Sequence, residues 1–266
     1  MHDLNVVRGR RDRSLWVVRL LHYWWPVAMG LSLVFVVRRA TGRGIDPIGL
    51  LVLLSGIAAA YSVDRLLDPP SRRDPAWLRR VLSATGLAGA AVGGVLAWRL
   101  PPQTAVLMPI FGLAAVGYVP LKRVALAKTI VVPMAWTWAV IALPFHDGSW
   151  MGWDWIERPV SLPLFLLLAS GCLLCDLKDV ERDRRNRVPS VPARWGIVAA
   201  ASLAVGLAAI AAGSAVVERR PTLVLDGVCL AAVGTCPMLL THDAVGPLIV
   251  DVILTLPGLL IATHLT

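Results

Sequence analysis

The chain has 266 residues, of which 57% are hydrophobic and 16% charged, and its mean hydropathy is +0.69. Soluble globular proteins are typically about 45–50% apolar, so this composition excludes an ordinary soluble domain and indicates a protein surrounded by lipid. The formal net charge of +9 does not indicate nucleic-acid binding, because the basic residues are scattered among short loops and form no continuous patch. We expect one transmembrane domain over residues 1–266, with a basic cytoplasmic tail at 1–14.

Apolar stretches long enough to cross a bilayer, about 20 residues each, recur along the whole chain. They predict an all-α, polytopic membrane bundle of about nine transmembrane helices, with most charged residues in the short connections between them. The predicted spans are Leu15–Val37, Ile48–Leu67, Trp77–Ala97, Thr104–Val119, Ala125–Pro144, Leu162–Leu177, Ile197–Val217, Thr222–Leu240 and Pro247–His264.

The distribution of lysine and arginine predicts the orientation of these spans. Eighteen of the 26 basic residues fall in segments on the same side as the N-terminus, and seven fall on the other side. Because loops rich in Lys and Arg stay in the cytoplasm, the N-terminus is predicted inside and the C-terminus outside. We expect an integral membrane protein of the bacterial inner (plasma) membrane.

A few polar residues lie within the predicted spans. Cys172 and Cys175 form a C-x-x-C, but no second pair or histidine cluster completes a zinc site, and we interpret them as small buried hydrophobic residues. Asp226 is explained by closeness to the outer surface or by the first turn of a helix. Asp251 lies at membrane depth, where a carboxylate needs a cavity or a partner; it contacts the acceptor or pairs with another buried polar group.

The acidic residues are concentrated in two places. Six of the 17 fall in two short stretches, each of which closes a predicted span at the inner face. The first stretch holds Asp64 and Asp68 in a D-x-x-x-D pattern. The second holds Asp176, Asp179 and Asp183 in a D-x-x-D-x-x-x-D pattern, with Glu181 as its fourth acid. Because residues three or four apart share one face of a helix, each set is predicted to form a single stripe.

Like charges at two facing helix ends repel one another unless cations bind between them. Hard oxygen ligands select Mg²⁺ or Ca²⁺, and Mg²⁺ is commonly held by a few carboxylates together with substrate phosphates. The two stretches therefore predict a site that grips a diphosphate through metal ions, and interleaved bases would offset phosphate charge. These bases are Arg65, Arg72, Arg73, Lys178, Arg184 and Arg185. The alternative is that the acids pair with neighbouring arginines on a solvated loop.

The layout of spans and acidic motifs resembles the UbiA-type superfamily of intramembrane prenyltransferases. Members of that superfamily have nine transmembrane helices, with one Asp-rich motif after helix two and another after helix six. The segment from Asp179 to Arg185, followed by Val188–Gly196, is similar to the second motif and the turn after it. The segment Tyr118–Arg123, followed by Lys128, is similar to the tyrosine, leucine and lysine–arginine segment before helix five.

The resemblance implies an enzyme that moves an isoprenoid group from a prenyl diphosphate donor to an unidentified acceptor, aromatic or lipid. It implies Mg²⁺ as the cofactor. The implied catalytic and metal-binding residues are Asp64, Asp68, Asp176, Asp179 and Asp183. The implied substrate-binding residues are Arg65, Tyr118, Lys122, Arg123, Lys128, Lys178 and Arg184.

Two departures from the family pattern keep other functions open. The Asn-Asp pair that usually opens the first motif is replaced by Ala60 and Tyr61, and the usual glycine before the last acid of the second motif is Arg182. A membrane terpene cyclase of the same fold and a non-catalytic isoprenoid-binding protein are therefore alternatives. A transporter is disfavoured, because the acids cluster at one face instead of at broken helices near the midplane.

Overall fold

The structure, a computed structural model, describes residues 24–67, 76–102, 104–105, 127–145, 159–242 and 245–263. Every regular element in these ranges is helical, which confirms the predicted all-α class. The helices are α1 (24–41), α2 (Pro47–Leu67), α3 (Ala76–Ala97), α4 (Ala127–Ala142), α5 (Ser161–Asp176), α6 (Val180–Arg185), α7 (Val191–Trp195), α8 (Ile197–Val217), α9 (Pro221–Gly234), α10 (Pro237–Leu240) and α11 (Val245–Thr263). A 3₁₀ turn, Leu177–Asp179, connects α5 to α6.

Five stretches within the described ranges are long and apolar enough to cross a membrane: Pro47–Leu67, Ala76–Ala97, Ser161–Arg185, Ile197–Val217 and Val245–Thr263. Their outer faces carry large apolar side chains; Leu87, Val198 and Val217 are 74%, 73% and 83% exposed. Apolar surface of this extent is stable in lipid and unstable in water, so the chain is an integral membrane protein. The count of nine spans stays a prediction, because the predicted Thr104–Val119 span and the 1–14 tail fall mostly or wholly outside the described residues.

Prolines set several helix boundaries. α2 begins at Pro47, and the carboxylate of Asp46 accepts a hydrogen bond from the Gly49 N–H at 2.5 Å, as an N-cap does. The prediction of one continuous span over Thr222–Leu240 is wrong. Pro237 has no N–H to donate to the preceding turn and its ring clashes with that turn, so the helix ends at the end of α9 and restarts as α10.

Small residues allow α8 to pack closely against α5 and α9. Five alanines of α8 have no exposed surface: Ala200, Ala204, Ala208, Ala211 and Ala215. Ser170 of α5 donates a hydrogen bond to the carbonyl oxygen of Ala204 at 2.9 Å. A Cβ on Gly227 of α9 would lie 2.8 Å from the carbonyl oxygen of Ala208. Membrane helices associate through such close backbone approaches, and here they enclose α5, whose last residue is Asp176.

Candidate functional site

Asp176 is the most deeply buried of the motif acids that the structure describes. It closes α5 and is 2% exposed. Lys128, near the start of α4, donates a hydrogen bond from Nζ to its Oδ1 and forms an ion pair with it. The partner thus comes from another helix, and not from the arginines beside Asp176 in the sequence. For this acid, the alternative of local pairing on a solvated loop is wrong.

Asp179 and Asp183 continue from Asp176 around the end of α5. The expected single helical stripe is interrupted, because residues Leu177–Asp179 form a 3₁₀ turn before α6 begins. Both carboxylates are half-buried, and both are close enough to Asp176 for their negative charges to act on it. The second motif therefore gathers three carboxylates around one helix end, with the Lys128 ammonium among them.

The end of α2 faces this helix end. Tyr61, in the last two turns of α2, lies within electrostatic range of Cys172 and Cys175 on α5. Its ring also meets Trp136 of α4 edge-on, with the ring centroids 6.2 Å apart and the planes at 73°. Tyr61 occupies a position where the resemblance implies an acid, so an aromatic ring stands here in place of a carboxylate. Tyr61 therefore lies near both α4 and α5 at this end of the bundle.

Asp64 and Arg65 follow Tyr61 on the last turn of α2, and both are half-buried. Arg65 and Lys178, from the 3₁₀ turn, both act on the carboxylate of Asp251 through their positive charges. Asp251 belongs to α11, so a fourth helix contributes a charged group to the same end of the bundle. The sequence leaves the role of Asp251 open between the acceptor and a buried partner; in the structure the positive charges of two cations act on it.

The structure describes only part of the predicted set. Asp68, Tyr118, Lys122 and Arg123 lie outside the described residues, and their roles stay predictions. Arg184 is exposed; its Nε donates to the carbonyl oxygen of Ala193 at 3.3 Å, and its guanidinium lies 3.5 Å from Glu181. In this arrangement Arg184 connects α6 to α7.

The carboxylates suit Mg²⁺ by their chemistry, because they supply only hard oxygen donors. Within the described residues, no three His, Cys, Asp or Glu side chains are already arranged to hold a metal ion. Such a set is not required for Mg²⁺, which is usually bound by one or two carboxylates and completed by substrate phosphates and water. The donor set at the ends of α2 and α5 therefore fits this ion, with phosphate oxygens supplying the remaining ligands.

The sequence motifs do not indicate the aromatic and thiol groups that lie near these acids. Trp136 carries no motif, and only its packing against Tyr61 reveals it. Cys172 and Cys175 were interpreted as buried hydrophobic residues, yet both are half-buried free thiols within electrostatic range of Asp251. The available signal is their position before Asp176, since Cys172 precedes it by one helical turn and Cys175 is its direct neighbour.

Asp226 lies in a different environment. The first helical turn does not explain it, because it is the sixth residue of α9, and it is 1% exposed. Its closeness to the outer surface stays a prediction. Neither of its carboxylate oxygens has a hydrogen-bond partner. Asp226 therefore provides a buried acid in the same bundle that takes no part in the cluster described above.

Comparison with known proteins agrees with the helical fold. Residues 76–247 match the UbiA prenyltransferase family. A solved structure, the apo structure of a UbiA homolog from Aeropyrum pernix K1, superposes with a TM-score of 0.66 at 17% identity, covering 89% of this chain and 98% of that chain. That likeness shows the fold. No curated protein matches the sequence. The family match covers well over half of the chain and confirms the resemblance drawn from its motifs: the chain belongs to the UbiA prenyltransferase family.

Proposed function

We propose that the protein is a Mg²⁺-dependent intramembrane prenyltransferase that moves an isoprenoid group from a prenyl diphosphate to an aromatic or lipid acceptor. The observation that carries this proposal is the buried Asp176–Lys128 pair beside Asp179 and Asp183, at the helix end that faces the end of α2. A buried carboxylate held by a cation from another helix is expensive to build, and it is placed where family membership leads us to expect substrate phosphates.

Mg²⁺ would be held by Asp64, Asp68, Asp176, Asp179 and Asp183. When bound, it supplies positive charge that polarises the diphosphate and neutralises the charge developing on it.

The basic residues of the site bind the diphosphate directly. Lys128 lies against Asp176 at the end of α5, and the charges of Arg65 and Lys178 act on Asp251 at the same end of the bundle. Ammonium and guanidinium groups aimed at phosphate oxygens stabilise the leaving group as the carbon–oxygen bond breaks. Lys122, Arg123 and Arg184 complete the proposed set, and Tyr118 supports the donor.

The apolar interior controls the fate of the allylic carbon. Once the diphosphate leaves, the carbocation needs an environment that excludes water. Tyr61 and Trp136 present aromatic rings at this level of the bundle, and the face of such a ring stabilises a cation. The acceptor attacks the cation, forms the new carbon bond and loses a proton.

Removal of the metal tests the proposed reaction. Membranes containing the full chain are incubated with radiolabelled prenyl diphosphates of several chain lengths and Mg²⁺, with and without candidate acceptors. We expect release of diphosphate with Mg²⁺ and loss of that release when EDTA is added, because the leaving group is then unneutralised.

The products separate the alternatives. A terpene hydrocarbon or alcohol formed without an acceptor would establish the cyclase instead. Absence of release at every chain length would contradict both enzymatic functions and favour a non-catalytic isoprenoid-binding protein.

We further propose that the site opens on the cytoplasmic side, because the surrounding segments are the richest in lysine and arginine. A cysteine introduced by Ser71→Cys should react with an impermeant thiol reagent in inverted vesicles and stay unlabelled in intact cells. Labelling in intact cells would reverse the orientation.

A further inference from the structure

Asp251 is fixed in place by a close approach between α11 and α5. A Cβ on Gly171 of α5 would lie 3.1 Å from Cδ1 of Leu254 and 3.3 Å from Cγ1 of Val250. Val250 and Leu254 are 1% and 3% exposed and lie on either side of Asp251 in the sequence. The turn of α11 that carries Asp251 is therefore packed against the helix that ends in Asp176.

A second contact holds α11 against α1. Ser32 of α1 donates a hydrogen bond from Oγ to the carbonyl oxygen of Thr255 at 2.6 Å, and the Thr255 hydroxyl donates to the carbonyl oxygen of Asp251 at 2.6 Å. Gly258 lies so close to Ser32 that a Cβ there would overlap it. These two anchors leave α11 little freedom to move Asp251 away from the site.

The groups around Asp251 come from the rest of the site. Two cations, Arg65 of α2 and Lys178 of the 3₁₀ turn, attract its carboxylate. α11 contacts that turn directly. The negative charge of Asp251 also acts on Tyr61 and on Cys175. Asp251 is half-buried, and a carboxylate at this depth is costly unless it has a partner.

Arg65 and Lys178 repel each other because both carry a positive charge near the same point, and the repulsion is larger near a low-dielectric membrane interior than in water. Without an anion between them, each long side chain would turn toward the aqueous phase. A carboxylate shared by both keeps them near one another before any phosphate arrives.

We propose that Asp251 is a positioning residue that holds Arg65 and Lys178 together to receive the diphosphate of the donor. This inference rests on the proposed function for the identity of the ligand. Residue 251 lies outside the range 76–247 that matches the family, so the assignment comes from the contacts of this chain.

The sign of one binding change tests the proposal. We expect Asp251→Asn to raise the dissociation constant of inorganic diphosphate from the purified full chain about tenfold. Loss of a group that orients ligating side chains typically weakens affinity by about ten- to a hundredfold, and this value is at the lower end of that range. Removing a negative charge would by itself tighten anion binding, so the positioning and charge effects act in opposite directions. Titration calorimetry in detergent, with and without Mg²⁺, measures the dissociation constant.

Two further variants complete the test. Asp251→Glu keeps the charge and should restore most of the affinity. Asp226→Asn makes the same chemical change at a buried acid outside the cluster, and it should leave the affinity unchanged. Unchanged or tighter binding by Asp251→Asn would overturn the proposal. The proposal would also be overturned if Asp251→Asn greatly lowers the melting temperature and Asp251→Glu restores neither the melting temperature nor the affinity, because the residue would then act only on stability.

Failure of the proposed function gives a different result. If the wild-type chain binds inorganic diphosphate, with the variants behaving as expected, but releases none from prenyl diphosphates, the positioning role stands and the transferase is wrong. If the wild-type chain does not bind inorganic diphosphate under either metal condition, the positioning role is wrong.

Discussion

Replacing Asp176 by asparagine should lower the rate of diphosphate release from a prenyl diphosphate by about a hundred- to a thousandfold, the loss that follows removal of one preorganised electrostatic group from an active site. The two side chains have nearly the same shape, so packing around the end of α5 is retained. The amide cannot supply the negative charge that both Lys128 and a metal ion require. The rate is measured in membranes with Mg²⁺ and saturating donor.

An exposed acid in the same segment provides the matched control. Glu181 is in α6, and its side chain is 78% exposed, against 3% for Asp176. Glu181→Gln makes the same change from carboxylate to amide, and it should leave the rate within about twofold, because the loss of a surface ion pair has little effect. Equal rates for Asp176→Asn and the wild type would remove Asp176 from the catalytic site.

Lys128→Met should lower the free energy of unfolding by about 3 kcal/mol, the lower end of the range for breaking a buried ion pair. The lower end applies because the Lys128 side chain is 40% exposed, whereas that of Asp176 is 3% exposed. Removing the lysine leaves the buried carboxylate without its partner. Removing the acid by Asp176→Asn leaves a lysine whose long side chain can reach a polar environment. The lysine variant should therefore be the less stable of the two.

A double-mutant cycle measures this asymmetry. Unfolding of the wild type, both single variants and Lys128→Met/Asp176→Asn is followed in detergent under identical conditions. The double variant should be more stable than Lys128→Met alone, because no uncompensated buried charge remains. If the two changes are additive, Lys128 and Asp176 do not interact in the folded protein, and the pairing is wrong.

The sequence predicted the class of the fold and the location of the second motif well. Long apolar stretches admit few structures other than helices in lipid, and the acids from Asp176 to Asp183 interrupt that pattern where α5 ends. The sequence did not predict the break in the Thr222–Leu240 span. The hydropathy of Thr222–Leu240 is continuous, but Pro237 breaks the helix through a missing hydrogen bond, which hydropathy does not measure.

The tertiary structure decided which side chains that are distant in the sequence interact with one another. The resemblance implies that Lys128 binds substrate, and nothing in the sequence indicates that it pairs with Asp176, which lies 48 positions away. The sequence leaves two roles open for Asp251; the contacts of Gly171 and Ser32 with α11 fix its position, where the charges of Arg65 and Lys178 act on it. In the sequence Tyr61 replaces an acid of the family pattern, and its contact with Trp136 depends on how α2 and α4 pack.

By itself, the sequence determined that this chain is a helical membrane protein with acids gathered at the ends of two spans, because hydrophobicity and charge act locally along the chain. Only the tertiary structure decided which of those acids is buried, which cation it pairs with and which helix brings a further carboxylate to the site. Those properties depend on helix packing, where single glycines and alanines set the distance between backbones. A buried charge is stable only where that packing supplies its partner, and Asp176 and Lys128 meet this condition.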